Sequence, residues 1–134
     1  MAIIESKTGI IKQPDVKIFN FLSDFTNFSR LIPSGNISNW SATPHSCQFD
    51  VLGIGHAGME ITEKIPYKLI KVNSVGSTPV NFQLWIYIEP KDANTSEVKV
   101  CIEPKVNPII LGMIKSHLQN LADKLIEQLE QFKF

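Results

Sequence analysis

The chain has 134 residues, a formal charge of zero from 13 basic and 13 acidic side chains, and two cysteines. That length supports one domain with a real hydrophobic core and no need of a metal or disulfide staple. Its charge balance lacks the clustered, usually arginine-rich basic face that nucleic acid binding needs, and Arg30 is the only arginine.

Cys47 and Cys101 lie far apart without C-x-x-C spacing, so free, buried thiols are expected rather than a zinc site or a disulfide framework. The N-terminal stretch "MAIIESKTGIIKQPDV" has no basic region followed by a long apolar run. No segment approaches the ~20 apolar residues of a membrane span, and a cytoplasmic location without a transmembrane segment is the expectation.

Ala2 to Lys12 carries isoleucines and a threonine with no helix start signal, and reads as a first strand. Pro14 suits the first position of a helix in which Val16, Phe19 and Leu22 form an apolar stripe. "SDFTNFSRLIPSG" continues as a second short helix, stopped by Pro33 and Gly35. From Asn36 to Lys105 the period changes to two. Cys47, Phe49 and Val51 alternate with polar residues, as do Met59, Ile61 and Ile65. Phe82, Leu84, Ile86 and Ile88 share one face of a later strand, with Trp85 and Tyr87 on the other. After the turn "KDANTS", Val98, Val100 and Ile102 alternate with Glu97, Lys99, Cys101 and Glu103, a strand with one wet face. Strands at Ile37 to Ala42 and Leu69 to Ser77 bring the run to about six, joined by short turns as an antiparallel meander.

The last element is a long helix, with Asn107 as its cap and Pro108 as its first residue. Leu111, Ile114, Leu118, Leu121, Ala122, Leu125, Leu129 and Phe132 fall within a stripe about 100° wide. Its opening, "PIILGMI", is apolar on every side, which predicts that the first turns are enclosed. Gly112 costs about 1 kcal/mol relative to alanine within a helix, and predicts a kink or a close backbone approach.

"VKIFNFLSDFTNFSRLIP" resembles the helical segment "vaxFLxDxxNxxxxxP" of the START-like, polyketide cyclase/dehydrase and lipid-transport (SRPBCC) superfamily. "GIGHAGMEITEKIPYKLIKV" resembles that family's strand, proline turn and strand, and "FQLWIYIEP" its penultimate strand. The resemblance spans residues 1–134 as one domain. It implies an α+β helix-grip fold: a curved antiparallel sheet of about seven strands around the long C-terminal helix, with two short helices between strands 1 and 2. It also implies a cavity between sheet and helix.

Gly53, Gly55 and Gly58 have the G-x-G-x-x-G spacing of a dinucleotide loop, but strand alternation follows them where that loop requires a helix N-terminus. Glycines that permit a bent hairpin are the preferred explanation. His45, His56 and His117 have no metal-ligand spacing, no serine stands in a G-x-S-x-G elbow, and neither cysteine has an activating partner. No cofactor, metal or catalytic constellation is therefore predicted. Glu60 and Glu63 point to opposite faces and cannot act as an acid–base pair. Glu63 shares the face of Met59 and Ile61, either as a buried anchor or as a rim residue in water. His117 lies about 90° from the centre of the stripe, either as a half-exposed flank residue or as a hydrogen-bond donor at the cavity edge.

Together with the resemblance, these patterns predict binding of an apolar or amphipathic small molecule, such as a lipid, isoprenoid or polyketide-like compound. The expected lining is Leu111, Met113, Ile114, His117, Leu118 and Leu121 on the helix, with Met59, Ile61, Glu63, Phe82 and Leu84 on the sheet. Two alternatives stand beside this reading: a cyclase, aromatase or dehydratase acting in the same cavity, and a protein-interaction or co-chaperone module. Oligomeric state is not readable from the sequence.

Overall fold

A computed structural model of the chain describes residues 3–32, 35–76 and 78–134. In chain order the elements are β1 (Ile4–Glu5), β2 (Gly9–Ile11), α1 (Asp15–Leu22), a 3-10 helix (Phe25–Arg30), β3 (Ile37–Ala42), β4 (Ser46–Val51), β5 (Gly55–Ile65), β6 (Leu69–Ser74), β7 (Phe82–Asp92), β8 (Thr95–Pro104) and α2 (Pro108–Gln131). The strands form one antiparallel sheet in the order β1–β8–β7–β6–β5–β4–β3, with β2 continuing β1 along the edge of β8. This is the α+β helix-grip arrangement, with seven strand positions and two short helices between the first and second. Ala2, Pro33 and Ser77, named above as strand or stop residues, lie outside the described residues.

The expected first strand is split by a bulge. Ile4 pairs with Ile102 and Gly9 with Val98, so five steps on one strand match four on the other. Ser6 occupies the break: its backbone N–H donates to Val100 O at 2.8 Å, and its Oγ accepts from Val100 N at 2.9 Å. A second bulge, between Ile61 and Glu63 in β5, changes the phase of that strand. Met59 stays buried, but Ile61 is half-buried and Glu63 and Ile65 are exposed, contrary to the simple alternation.

Two further expectations are corrected. In α1 the buried face is Ile18, Phe19 and Leu22, and Val16 is exposed, because the stripe centres between Ile18 and Phe19. Phe19 meets Tyr67 of the β5–β6 turn edge-on at 5.6 Å. In β8 the wet face dries out toward its end: Cys101 and Glu103 are buried, and the Glu103 carboxylate lies 2.8 Å from Lys105 Nζ.

Asn107 caps α2 through its side-chain oxygen, which accepts from Ile110 N at 2.9 Å. Ile114, Leu118, Leu121, Ala122, Ile126 and Leu129 are the buried face. Ile126, only 1% exposed, extends the expected stripe because it lies one turn beyond Ala122. At Gly9 the helix comes so close that a Cβ there would sit 2.6 Å from Ile126 Cγ2. Around that contact, helix side chains satisfy the free backbone of the broken edge strand. Asp123 Oδ1 accepts from Lys7 N at 2.8 Å, Glu130 Oε2 accepts from Ile10 N at 3.0 Å, and Gln119 Nε2 donates to Glu5 O at 2.8 Å. The other flank is held by Lys124 Nζ, which donates to Asn36 Oδ1 at 3.0 Å.

The first turns of α2 are open, not enclosed. Ile109 and Met113 are 78% and 70% exposed, Ile110 is also exposed, and apart from its chain neighbours and the helix's own backbone nothing lies within 4 Å of a Cβ built at Gly112, so no close approach explains that glycine. The sheet contacts of α2 are chiefly with β8, β2 and β1, and in its first turns Leu111 is half-buried and Ile114 buried.

Ile126→Ala removes a fully buried side chain at the closest helix–sheet contact, and is expected to cost about 2–5 kcal/mol by urea unfolding. Gly9→Val is expected to destabilise through overpacking, by about 1–3 kcal/mol. A change below about 0.5 kcal/mol in both, the scale of surface substitutions, would show that this contact does not hold the helix.

Candidate functional site

A cavity of about 90 Å³ lies between the concave face of the sheet and α2. Met59, Leu84 and Val100 belong to its sheet wall and Leu118, Leu121 and Leu125 to its helix wall, while Leu22, Phe28 and Leu31 close it from the short helices. The 3-10 helix is set by Asp24, whose Oδ1 accepts from Thr26 N at 2.9 Å and from Thr26 Oγ1 at 2.6 Å. These two bonds hold the Asp24 carboxyl below its ordinary range. The cap starts the turn that buries both Phe25 and Phe28, whose rings meet edge-on at 5.1 Å.

Trp40 is the wall residue that sequence patterning left unplaced. A bulge in β3 between Ser38 and Ser41 turns it inward, with Asn39 at φ +55°. Asn39 is among the residue types that tolerate this conformation, and its Nδ2 donates to Asp50 Oδ2 at 2.7 Å. Asp50 Oδ1 in turn lies 2.9 Å from His56 Nδ1, and the bonds from Asn39 and then His56 hold the Asp50 carboxyl low. Trp40 stacks parallel to Phe28 at 6.3 Å and against Phe49 at 5.4 Å. Three aromatic rings from three elements thus make one continuous section of wall.

Among the twenty-four described lining residues none is titratable, and only Thr78 and Trp40 bring a side-chain nitrogen or oxygen. The Thr78 hydroxyl is engaged within its own loop, donating to Val80 O at 3.0 Å. Such a lining can remove apolar surface from water. It offers no side chain to donate or accept a proton at a reacting centre.

Of the residues expected to line the cavity, Met59, Phe82, Leu84, Leu118 and Leu121 are on its wall. Ile114 is buried outside the lining, and Ile61 and Leu111 are half-buried outside it. Glu63, Met113 and His117 are exposed. Glu63 leaves the inward face at the β5 bulge, and Met113 lies on the outer face of α2, beside the buried Ile114. His117 is displaced by the β4–β5 turn, where its ring covers Gly53: a Cβ there would come within 2.8 Å of His117 Cε1. Gly53 also has φ +84°, and a Cβ at Gly58 would meet Val75 O at 2.9 Å. Gly55 has φ +120°, so all three glycines of the apparent dinucleotide pattern have local reasons for being small, and a strand, not a helix, follows them. Phe28, Phe49 and Ile126 join Trp40 as lining residues absent from the expected set. Phe49 was readable from the alternation of β4, and Ile126 from its spacing to Ala122.

No family model matches the sequence, and no curated protein matches it. The di-domain ARO/CYC BexL from the BE-7585A biosynthetic pathway is similar in structure with a TM-score of 0.75 and 16% identity, over 98% of this chain and 46% of that one. The present chain thus spans about half of that protein. A START superfamily protein from Mycobacterium smegmatis gives 0.68 at 17% identity, over 98% of this chain and 99% of the other. A norcoclaurine synthase from Thalictrum flavumn, a point mutant in complex with a transition state analogue, gives 0.68 at 11%, over 95% and 94%. The likeness is one of fold: the chain has the START-like helix-grip fold that its motifs resemble.

Burial pushes the Cys47 thiol up to about 12 and also raises that of Cys101, which has the Glu5 carboxylate nearby. Because the thiolate is the reacting species, neither cysteine should react quickly with Ellman's reagent in the native protein at pH 8, and both should react at once in urea. Rapid native labelling of one equivalent would contradict this.

Proposed function

We propose that the chain binds an apolar small molecule, or the apolar part of an amphipathic one, in the cavity between sheet and α2. The observation that carries this reading is the lining itself: aliphatic and aromatic on all sides, with no titratable group among the described residues. Each methylene moved from water into such a space contributes about 0.8 kcal/mol. A ligand therefore needs shape and length more than polar anchors.

The volume narrows the ligand. A space of about 90 Å³ is smaller than the ~150 Å³ engineered cavity that accommodates benzene. Without yielding of its walls it takes only a few carbons of an apolar group, so a longer chain or a fused-ring compound would require it to expand, and any polar head would remain toward the opening. A second reading is cyclase-type catalysis on a polyketide-like substrate, favoured by the similarity to an ARO/CYC protein and a norcoclaurine synthase. An enzyme of this kind would have to work through cavity shape, since the described walls lack acid and base groups.

Binding is testable through the wall itself. Medium-chain fatty acids or isoprenoid alcohols should raise the melting temperature and change tryptophan emission. The emission change should vanish in Trp40→Phe, whose ring is on the wall, and persist in Trp85→Phe, whose ring is on the opposite face of the sheet. Leu121→Trp, which places a larger side chain in the void, should fold and lose the thermal shift. Absence of stabilisation by any apolar compound in the wild-type chain would overturn the reading. Turnover of a polyketide-like substrate would favour the second.

A further inference from the structure

The cavity is least covered along one seam. Most of its described lining is buried, but Ile37 and Ile54 on the sheet side and Leu125 on α2 are half-buried. Ile37 pairs with Val51, and Ile54 N donates to Val51 O at 3.1 Å, so the two sheet-side residues adjoin. One flank of α2 faces them. On that flank the His117 ring covers Gly53, next to Ile54. Seven residues on, and so on the same side of the helix, Lys124 Nζ donates to Asn36 Oδ1 at 3.0 Å, next to Ile37. The Lys124 side chain therefore spans the gap between the helix and the start of β3, over the half-buried part of the wall.

Charge is sorted about the helix. The three acids of α2 are turned to the opposite flank, where Asp123 meets Lys7 N, Glu127 meets Lys7 Nζ and Glu130 meets Ile10 N. Across the gap, the stretch from Phe25 to Met59 has one acid, Asp50, which is bonded to Asn39 and His56. The partner of Lys124 is a neutral amide, and among the described residues Lys124 forms no ion pair.

We infer that Lys124 and Asn36 bind the carboxylate head of an amphiphile whose apolar chain enters the cavity. A carboxylate cannot follow its chain into a lining without charge, because desolvation there is uncompensated, so the head stops at the seam. At the seam it meets a cation whose present partner is uncharged. Lys124 Nζ and Asn36 Nδ2 supply two donors for its two oxygens, in place of the bond they now share. An alcohol on the same chain gains the burial but not the charge-assisted bonds.

The inference rests on the cavity-binding reading, and its test separates the two. Octanoate and octan-1-ol are titrated into the Trp85→Phe chain, in which Trp40 of the cavity wall is the sole tryptophan. Both ligands should change its emission. Lys124→Gln should weaken octanoate about tenfold, the scale of one hydrogen bond to a charged group, and leave octan-1-ol binding and the ligand-free melting temperature unchanged. Lys124→Arg should keep the octanoate affinity, and Asn36→Ala should lower it severalfold. Added salt should weaken octanoate and not the alcohol. Unchanged octanoate binding in Lys124→Gln, or equal loss of both ligands, would overturn the inference and leave the cavity reading standing. Failure of both ligands to bind the Trp85→Phe chain would overturn the cavity reading and the inference with it.

Discussion

One helix has to cover a sheet much wider than itself, and the rest of the architecture follows from that mismatch. An α-helix with its side chains is about 10 Å across. Seven strand positions at ~4.8 Å each span roughly 30 Å. The sheet answers by curving, and α2 answers by lying against β8 and the β1–β2 edge. There Gly9 allows the Ile126 side chain to come almost onto the backbone. The remaining concavity is closed by the short helices and the aromatic wall of Phe28, Trp40 and Phe49. The void is thus a geometric remainder of asymmetric contact, and its described lining is free of charge.

That asymmetry also divides the helix into two functional lengths. Its distal half is tied to the edge strand by Asp123 and Glu130, which accept from backbone N–H groups at 2.8 and 3.0 Å. Its first turns turn Leu111 and Ile114 inward and carry Ile109, Ile110 and Met113 on an exposed face.

The order of elements and the inward residues of the regular strands were legible because burial on one face imposes strict alternation: Phe49, Met59, Leu84 and Val100 could be read directly. Legibility stopped at three bulges. The one in β3 brought in Trp40, the one in β5 put out Glu63, and the one beside Ser6 divided the first strand. A bulge adds one residue and reverses every facing assignment beyond it, yet it depends on partner strands that a linear pattern does not contain. The first turns of α2 failed for a different reason. Apolarity on all sides of a helix normally signals enclosure, but enclosure also needs elements packed on every side, and here Ile109, Ile110 and Met113 are left exposed.

The bulges carry one more consequence, which concerns what the sheet does not do. An open sheet has two edges, each a row of unpaired backbone groups onto which another chain could add a strand. In this protein β3 is one edge, and its regular pairing is interrupted at Asn39, whose φ of +55° bends the backbone out of line. The other edge is β1 and β2, two and three residues long, with the helix carboxylates on N–H groups between and within them. Neither edge presents a straight template of useful length. A second chain adding a strand at either edge would have to undo one of these features first.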